Sequence, residues 1–424
     1  MTFPPLSLAG IPAEFILFGA TLAGVVLFHR YTLAVAVGGL AAIAVFKLLF
    51  ADFAGVTGFT GLLLHLRREW VTVANLGGLL LGFALLSRHF EESRVPAILP
   101  RFLPDDWKGG FALLGVVFVM SSFLDNIAAA MIGGTMATTL FRGRLHIGYI
   151  AAIVAASNAG GAGSVVGDTT TTMMWIAGVP PRQVFEAYVA ALPALLFFGV
   201  VASRQQHALQ PIERDATPGV RVEWARLAIV GFILVAAIGA NVGFNLWQPA
   251  VLGNWPVIGL AVWLAIAATA AWRRPDWRVL PEAARGSVFL LALVLCASMM
   301  PVERLPAASW PATLGLGFVS AVFDNIPLTA LALRQGGYDW GFLAYAVGFG
   351  GSMIWFGSSA GVALASMFPE ARSVGAWLQG GWHILVGYLI GFAVLLASFG
   401  WHPDPAAQRA ARPATPTIGA PDGG

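Results

Sequence analysis

Apolar stretches of helical length recur along this chain, separated by short segments rich in arginine, glycine and proline. A bilayer-spanning helix needs roughly 20 apolar residues, within a range of about 17 to 25. The pattern predicts spans at Glu14–His29, Tyr31–Phe50, Val71–Ser87, His146–Gly178, Gln183–Ser203, Glu223–Phe244, Trp255–Trp272, Arg285–Pro301, Gly341–Phe368 and Trp377–Phe399. Two further apolar segments, Gly109–Leu140 and Pro311–Arg334, do not read as ordinary spans. Each is interrupted by an Asp-Asn pair: Asp125-Asn126 in SSFLDNIAAAMI and Asp324-Asn325 in SAVFDNIPLTAL. The first segment is too long for one helix and too short for two crossings with a turn. Each arm has about 15 residues, or about 22 Å at 1.5 Å per residue, enough to pass the midplane and return. Both segments are expected to be re-entrant hairpins with the Asp-Asn pair at the tip.

The basic residues support that reading, because positive charge collects on the cytoplasmic side. Arg88, Arg94, Arg101 and Lys108 precede the first hairpin, and Arg142 and Arg144 follow it. A hairpin returns to the side it entered, so both clusters fall inside. Arg204, Arg214, Arg221, Arg226, Arg273, Arg274, Arg278 and Arg285 are then also inside, and the second hairpin opens outward. Arg67, Arg68, Arg409 and Arg412 fall on the opposite side from the rule. Five spans separate the hairpins, so the two halves have opposite orientation. Asp125 and Asp324 stand 199 positions apart, and Ser157 and Ser358 stand 201 apart. The expected fold is an all-α polytopic membrane protein of inverted repeats, with about ten transmembrane helices, two re-entrant hairpins and two broken helices. Residues 1–203 form the first repeat (hairpin 109–140, broken helix 146–178) and 204–222 a cytoplasmic linker. Residues 223–400 form the second repeat (hairpin 311–334, broken helix 341–368), and 401–424 a disordered tail.

Composition agrees with a membrane chain. Of 424 residues, 58% are hydrophobic and 11% charged, against about 25% charged in soluble domains. The net charge of +3 needs no nucleic acid to explain it, and the one cysteine, Cys296, excludes an intrachain disulfide or a cysteine-rich metal site. No cleavable signal peptide is expected at the start, because Met1–Gly10 lacks a basic region. Tryptophans gather near predicted span ends, where interfacial anchoring is the ordinary role. His383, inside the last span, reads as a packed histidine. No histidine pair has metal-ligand spacing, and no nucleophile–base arrangement or phosphate loop suggests an enzyme or a cofactor.

The candidate chemistry lies at helix breaks. A carboxylate within hydrocarbon costs at least a few kcal/mol, so intramembrane acids usually face a pathway or a site. One Asp-Asn pair could merely cap a broken helix; two at matching positions point to a site. The segment SNAGGAGSVVGDTTTTMMW, Ser157–Trp175, carries glycines that weaken a helix, then Asp168 before four threonines. Asp168 fits either an N-cap of the second half-helix or an ion contact. The partner segment, GFGGSMIWFGSSAGVAL, has Ser358-Ser359 but no acid. Hard cations such as Na⁺ take oxygen donors. Asp125, Asn126, Ser157, Asn158, Asp168 and Thr169 supply such atoms, which makes the first half the stronger candidate for an ion site.

Together, SSFLDNIAAAM, SNAGGAGSVVGDTTTTMMW, SAVFDNIPLTA and GGSMIWFGSSAGVA resemble the motifs of NhaD-type sodium/proton antiporters. That family belongs to an ion-transporter superfamily with arsenite permeases and citrate or dicarboxylate transporters. The resemblance implies a helix-hairpin inverted-repeat fold, elevator-type alternating access, a homodimer, and a place in the bacterial inner membrane. It places Asp125, Asn126, Ser157 and Asn158 on one side of the site, with Asp168, Thr169 and Thr170 beside them, and Asp324, Asn325 and Ser358 on the other. Ala128–Ala130 departs from the pattern, where a polar residue is expected. The expected function is exchange of Na⁺ or Li⁺ for H⁺, with the lipid bilayer and an inorganic cation as partners. The competing reading is an anion transporter of the same superfamily, carrying citrate, another dicarboxylate or arsenite. The scarcity of intramembrane basic residues beyond Lys47 counts against it.

Overall fold

A computed structural model describes residues 7, 8, 10–28, 31–53, 55–98, 102–212, 221–252 and 254–403. Two short antiparallel pairs, β1 (Ser7–Leu8) with β2 (Ile11–Pro12) and β3 (Asp52–Phe53) with β4 (Val56–Thr57), are the strands among them. The remaining elements are helices. The first group is α1 (Ala13–Leu27), α2 (Thr32–Phe50), α3 (Gly58–Glu92) and the short α4 (Val95–Ile98). Next come α5 (Trp107–Ser121), α6 (Asn126–Leu140), α7 (Ile147–Ala162), α8 (Thr169–Ile176), α9 (Pro181–Phe185) and α10 (Ala187–Leu209). The second half holds α11 (Trp224–Trp247), α12 (Pro249–Leu252), α13 (Val257–Ala270), α14 (Leu280–Ser298), α15 (Trp310–Ser320) and α16 (Asn325–Gln335). It closes with α17 (Trp340–Gly350), α18 (Ser359–Met367), α19 (Val374–Gly380) and α20 (Trp382–Phe399).

Six helical stretches among the described residues are long and apolar enough to cross a membrane, and five shorter apolar helices accompany them. This is the architecture of an all-α integral membrane protein. Large apolar side chains on α2, α11 and α13, such as Leu49, Val235 and Leu264, stay exposed on the outside of the bundle, where lipid would cover them.

Element boundaries differ from the pattern for identifiable reasons. α3 begins thirteen residues before the expected Val71, at Gly58. Its polar stretch from His65 to Trp70 is made of sound helix formers with no glycine or proline, so nothing stops the helix there. α10 runs past Ser203 to Leu209, so the expected linker begins as helix. The two longest expected spans are each split, α7 from α8 and α17 from α18, at runs containing glycine. The expected disordered tail lies outside the described residues from 404 onward.

Two hydrophobic clusters hold the bundle together. In the larger, every residue of α7 from Gly148 and every residue of α17 is buried, as helices at the centre of a bundle require. α5, α6, α10 and α20 surround them. The smaller cluster joins α1, α2, α3, α14 and α16. Its polar ties are specific: Lys47 Nζ donates to the Met299 carbonyl at 2.9 Å, His65 Nε2 pairs with Ser298 Oγ at 2.9 Å, and Arg334 on α16 pairs with Glu69 on α3 at 2.9 Å. Lys47 is thus engaged at the C-terminal end of α14, away from the helix breaks. At the other end of α3, Arg88 bridges Glu91, Glu92 and Asp276, and Arg226 bridges Glu92 and Glu223.

Candidate ion site at four helix breaks

Four helices begin at the breaks in the two Asp-Asn segments and the two split spans, each with a polar residue at the N-cap: Asp125 before α6, Asp168 before α8, Asp324 before α16 and Ser358 before α18. Their backbones fall into two matched pairs. Asp125 and Asp324 share φ −52°, with ψ 139° and 141°. Asp168 and Ser358 have φ −141° and −142°, with ψ 144° and 153°. The backbone partner of Ser358 is therefore Asp168, not Ser157. The spacing between Ser157 and Ser358 suggested an equivalence that the fold does not keep. Ser157 lies inside α7 and its hydroxyl donates to the Val154 carbonyl of its own helix at 2.9 Å, whereas Ser358 Oγ accepts from the Gly361 N–H at 3.2 Å as a cap.

Glycine contacts repeat the same pairing. A Cβ on Gly160 would collide with the Phe118 carbonyl, and one on Gly350 with the Gly317 carbonyl. A Cβ on Gly167 would meet the Ser121 carbonyl, and one on Gly357 the Ala321 carbonyl. A Cβ on Gly161 would lie 3.0 Å from Asp168 Cβ, and one on Gly351 would lie 3.0 Å from Ser358 Cβ. Each break is thus pressed against the C-terminal end of α5 or α15, at a distance only glycine permits.

The site side chains then fall into two sets. Asn158, buried on α7, accepts from Asn126 Nδ2 at 3.0 Å. It donates to Ser352 Oγ at 2.9 Å and Ser358 Oγ at 3.0 Å, so it joins α6 to the break before α18. With the pairing of Asp168 and Ser358 carried back to the preceding helices, Asn158 corresponds to Gly348. Over Gly348 a Cβ would lie 3.1 Å from Ala162 Cβ and 3.5 Å from Asp168 Oδ2. That oxygen accepts from Thr170 Oγ1 at 2.8 Å and from Asn325 Nδ2 at 3.4 Å, while Oδ1 accepts from the Thr170 N–H at 3.3 Å. Asp324 accepts from the Ile326 N–H and from Ser359 Oγ, both at 3.0 Å. Asp125 makes no side-chain capping bond to α6.

A cavity of about 440 Å³ divides these residues by access. Asp125, Asp168 and Thr169 line it; Asn126, Ser157, Asn158, Thr170, Asp324, Asn325 and Ser358 do not. The cavity runs between α3 and α14 toward Glu91 and Glu282. Its lining contains those two glutamates and the two aspartates but no lysine, arginine or histidine. Of the residues that sequence reasoning singled out, nine surround the breaks through direct bonds or the cavity wall. Ser157 bonds to its own helix and does not line the cavity. Ser352 and Ser359 were missed as contacts, although the Ser358-Ser359 dipeptide was the available signal for the second.

Two carboxylates and a threonine face a common space, and four helix N-termini supply partial positive charge that offsets the buried acids. The oxygens of Asp168, Asp324 and Ser358 already accept hydrogen bonds, so the least occupied carboxylate facing the cavity is Asp125, with Asp168 and Thr169 beside it on the wall.

No family model matches the chain. Over 370 residues it is 26% identical to sodium/proton antiporter 1 of Arabidopsis thaliana, an alignment covering 76% of the chain and 59% of that protein. It is 27% identical over 327 residues to sodium/proton antiporter 2 of the same plant, covering 68% of the chain and 73% of the relative. The Na(+)/H(+) antiporter NhaD of Alkalimonas amylolytica is 26% identical over 336 residues, with 68% of each protein covered. The chain thus spans a little under three fifths of the first relative's length and about seven tenths of the other two. The resemblance to NhaD-type antiporters carried by the motifs extends over two thirds or more of the chain.

Proposed function

We propose that the chain is a secondary active transporter that exchanges Na⁺, or Li⁺, for H⁺. The observation that carries this reading is a cavity with four acidic residues and no basic one, ending at Asp125 and Asp168 beside the starts of α6 and α8. Carboxylates facing one low-dielectric space repel strongly when both are charged. A bound Na⁺ relieves that repulsion; when it leaves, a proton on one carboxylate does the same. Occupancy by one excludes the other, which is the minimum requirement for exchange. The names of the relatives support the same substrate.

The matched backbone angles and glycine contacts favour an inverted-repeat reading, with 1–203 and 223–400 as the repeats and α5–α6 and α15–α16 as re-entrant hairpins. Alternating access would move α5–α8 and α15–α18 against a frame of α1–α3 and α11–α14, in the manner of an elevator. The cavity between α3 and α14 is then the inward-facing access route, because Arg88, Arg226 and Arg273 lie at its end. A bacterial inner membrane suits the NhaD relatives, and a homodimer is the assembly that the family resemblance implies.

Anion transport fits less well. Half-helix N-termini could receive a carboxylate substrate, but three of the four already hold a side-chain cap, from Asp168, Asp324 and Ser358, and the fourth starts at the carboxylate of Asp125. The test is transport by purified protein in liposomes loaded with a pH dye under an imposed proton gradient. Na⁺ or Li⁺, but not K⁺ or citrate, is expected to dissipate the gradient. A gradient insensitive to Na⁺ together with uptake of labelled citrate would establish the anion reading instead.

A further inference from the structure

The cavity does not end at the aspartates. It continues between α3 and α14, where Ser87 and Glu91 stand one turn apart on α3 and Glu282 stands on α14. Glu91 accepts from Arg88 at 3.0 Å, but Arg88 is shared with Glu92 and Asp276, so it balances only part of the charge around it. Glu282 is exposed and makes no ion pair or hydrogen bond among the described residues. Arg285, one turn further along α14, lines a separate crevice with Tyr31 and Phe289, so it does not cover Glu282 on the cavity wall. Ser87 supplies an independent observation. It is 7% exposed, it lines the cavity, and its hydroxyl has no hydrogen-bond partner. A buried hydroxyl left without a partner is uncommon and calls for an explanation such as an ion or water.

We propose that Glu282, Glu91 and Ser87 form an outer cation site at the mouth of this cavity. It collects a monovalent cation from water before the ion moves inward to Thr169, Asp168 and Asp125. The donor chemistry suits such a role: two carboxylates of differing balance and a neutral hydroxyl give hard oxygens without the charge density that would trap the ion. Carboxylates at the mouth of a low-dielectric cleft also raise the local cation concentration. The outer site rests on the cation-exchange reading of the inner one.

The experiment is Na⁺-driven proton exchange in liposomes, with Na⁺ presented to the face that bears Glu282. Glu282→Gln is expected to raise the apparent KM for Na⁺ about three- to tenfold, within the range that electrostatic focusing supplies. Its maximal rate should stay within about twofold, because chemistry at the inner carboxylates is untouched. Glu282→Lys should raise KM further, and both effects should shrink when choline chloride screens the mouth. Arg285→Gln, which removes a positive charge one turn away on α14, should not raise KM. Wild-type KM in both Glu282 variants would overturn the outer site while leaving exchange at Asp125 and Asp168 standing. A wild-type protein that shows no Na⁺-driven exchange at all would overturn the cation reading, and the outer site with it.

Discussion

At the scale of single residues, the same residue types do different work according to which helix end they meet. Asp324 is held by an N–H and a serine hydroxyl, Asp168 by Thr170 and Asn325, while Asp125 makes no capping bond and faces the cavity. This ranking was only partly legible in the sequence. The Asp-Asn pairs, Asn158 and Asp168 were conspicuous because polar side chains within hydrocarbon need a reason. Which acid was open was not, since it depends on Ser359 and Asn325 reaching across gaps of 35 and 157 positions that no spacing rule gives. Ser157 shows a different limit: it stands beside Asn158 in sequence, yet its hydroxyl donates to the Val154 carbonyl of its own helix and it does not line the cavity. Ser157→Ala is therefore expected to keep Na⁺-dependent exchange within about twofold and to cost about 1 kcal/mol of stability or less, the worth of one hydrogen bond. Loss of Na⁺ affinity in that variant would return Ser157 to the site.

At the scale of elements, the breaks depend on backbone contact as much as on caps. Gly160 lies against the Phe118 carbonyl of α5, and Gly350 against the Gly317 carbonyl of α15. Replacement by alanine at either position forces that helix away, and overpacking of this kind costs about 1–3 kcal/mol. Gly160→Ala and Gly350→Ala should each lower the thermal midpoint in detergent and weaken exchange, whereas Gly38→Ala on α2, with open space around it, should do neither. Equal behaviour of all three would remove the close-approach account. The sequence showed that these segments break, because clustered glycines weaken a helix. It did not show where their counterparts lie. α6 has 15 residues where α16 has 11, and α7 has 16 where α17 has 11, so the spacing of the Asp-Asn pairs is lost before the breaks, most of it before α7 and α17 begin. That loss is why Ser358 matches Asp168 and not Ser157.

At the scale of the whole molecule, one cavity leads from the site to the end of α3 that carries Arg88 and Glu91, and the opposite end is tied by the pair of Arg334 and Glu69. The number of apolar stretches and their charged flanks could be read from composition and periodicity. The side on which the site opens could not, since it is a property of how α3 and α14 part. The access route has a direct readout. Ala283 lines the cavity, and the one native cysteine, Cys296, is buried, so Ala283→Cys should react with a membrane-impermeant maleimide from the face bearing Glu282 alone. Labelling from the opposite face only would reverse the proposed orientation.

The central claim is that a cation and a proton compete for the carboxylates facing this cavity. It is tested most directly by adding NaCl to the purified, weakly buffered protein in detergent and following pH, with choline chloride as the blank. Wild-type protein should release protons as Na⁺ binds, and Asp125→Asn, folded to the same helical content, should release none. Na⁺ binding without proton release in the wild type, or undiminished release in Asp125→Asn, would contradict the account.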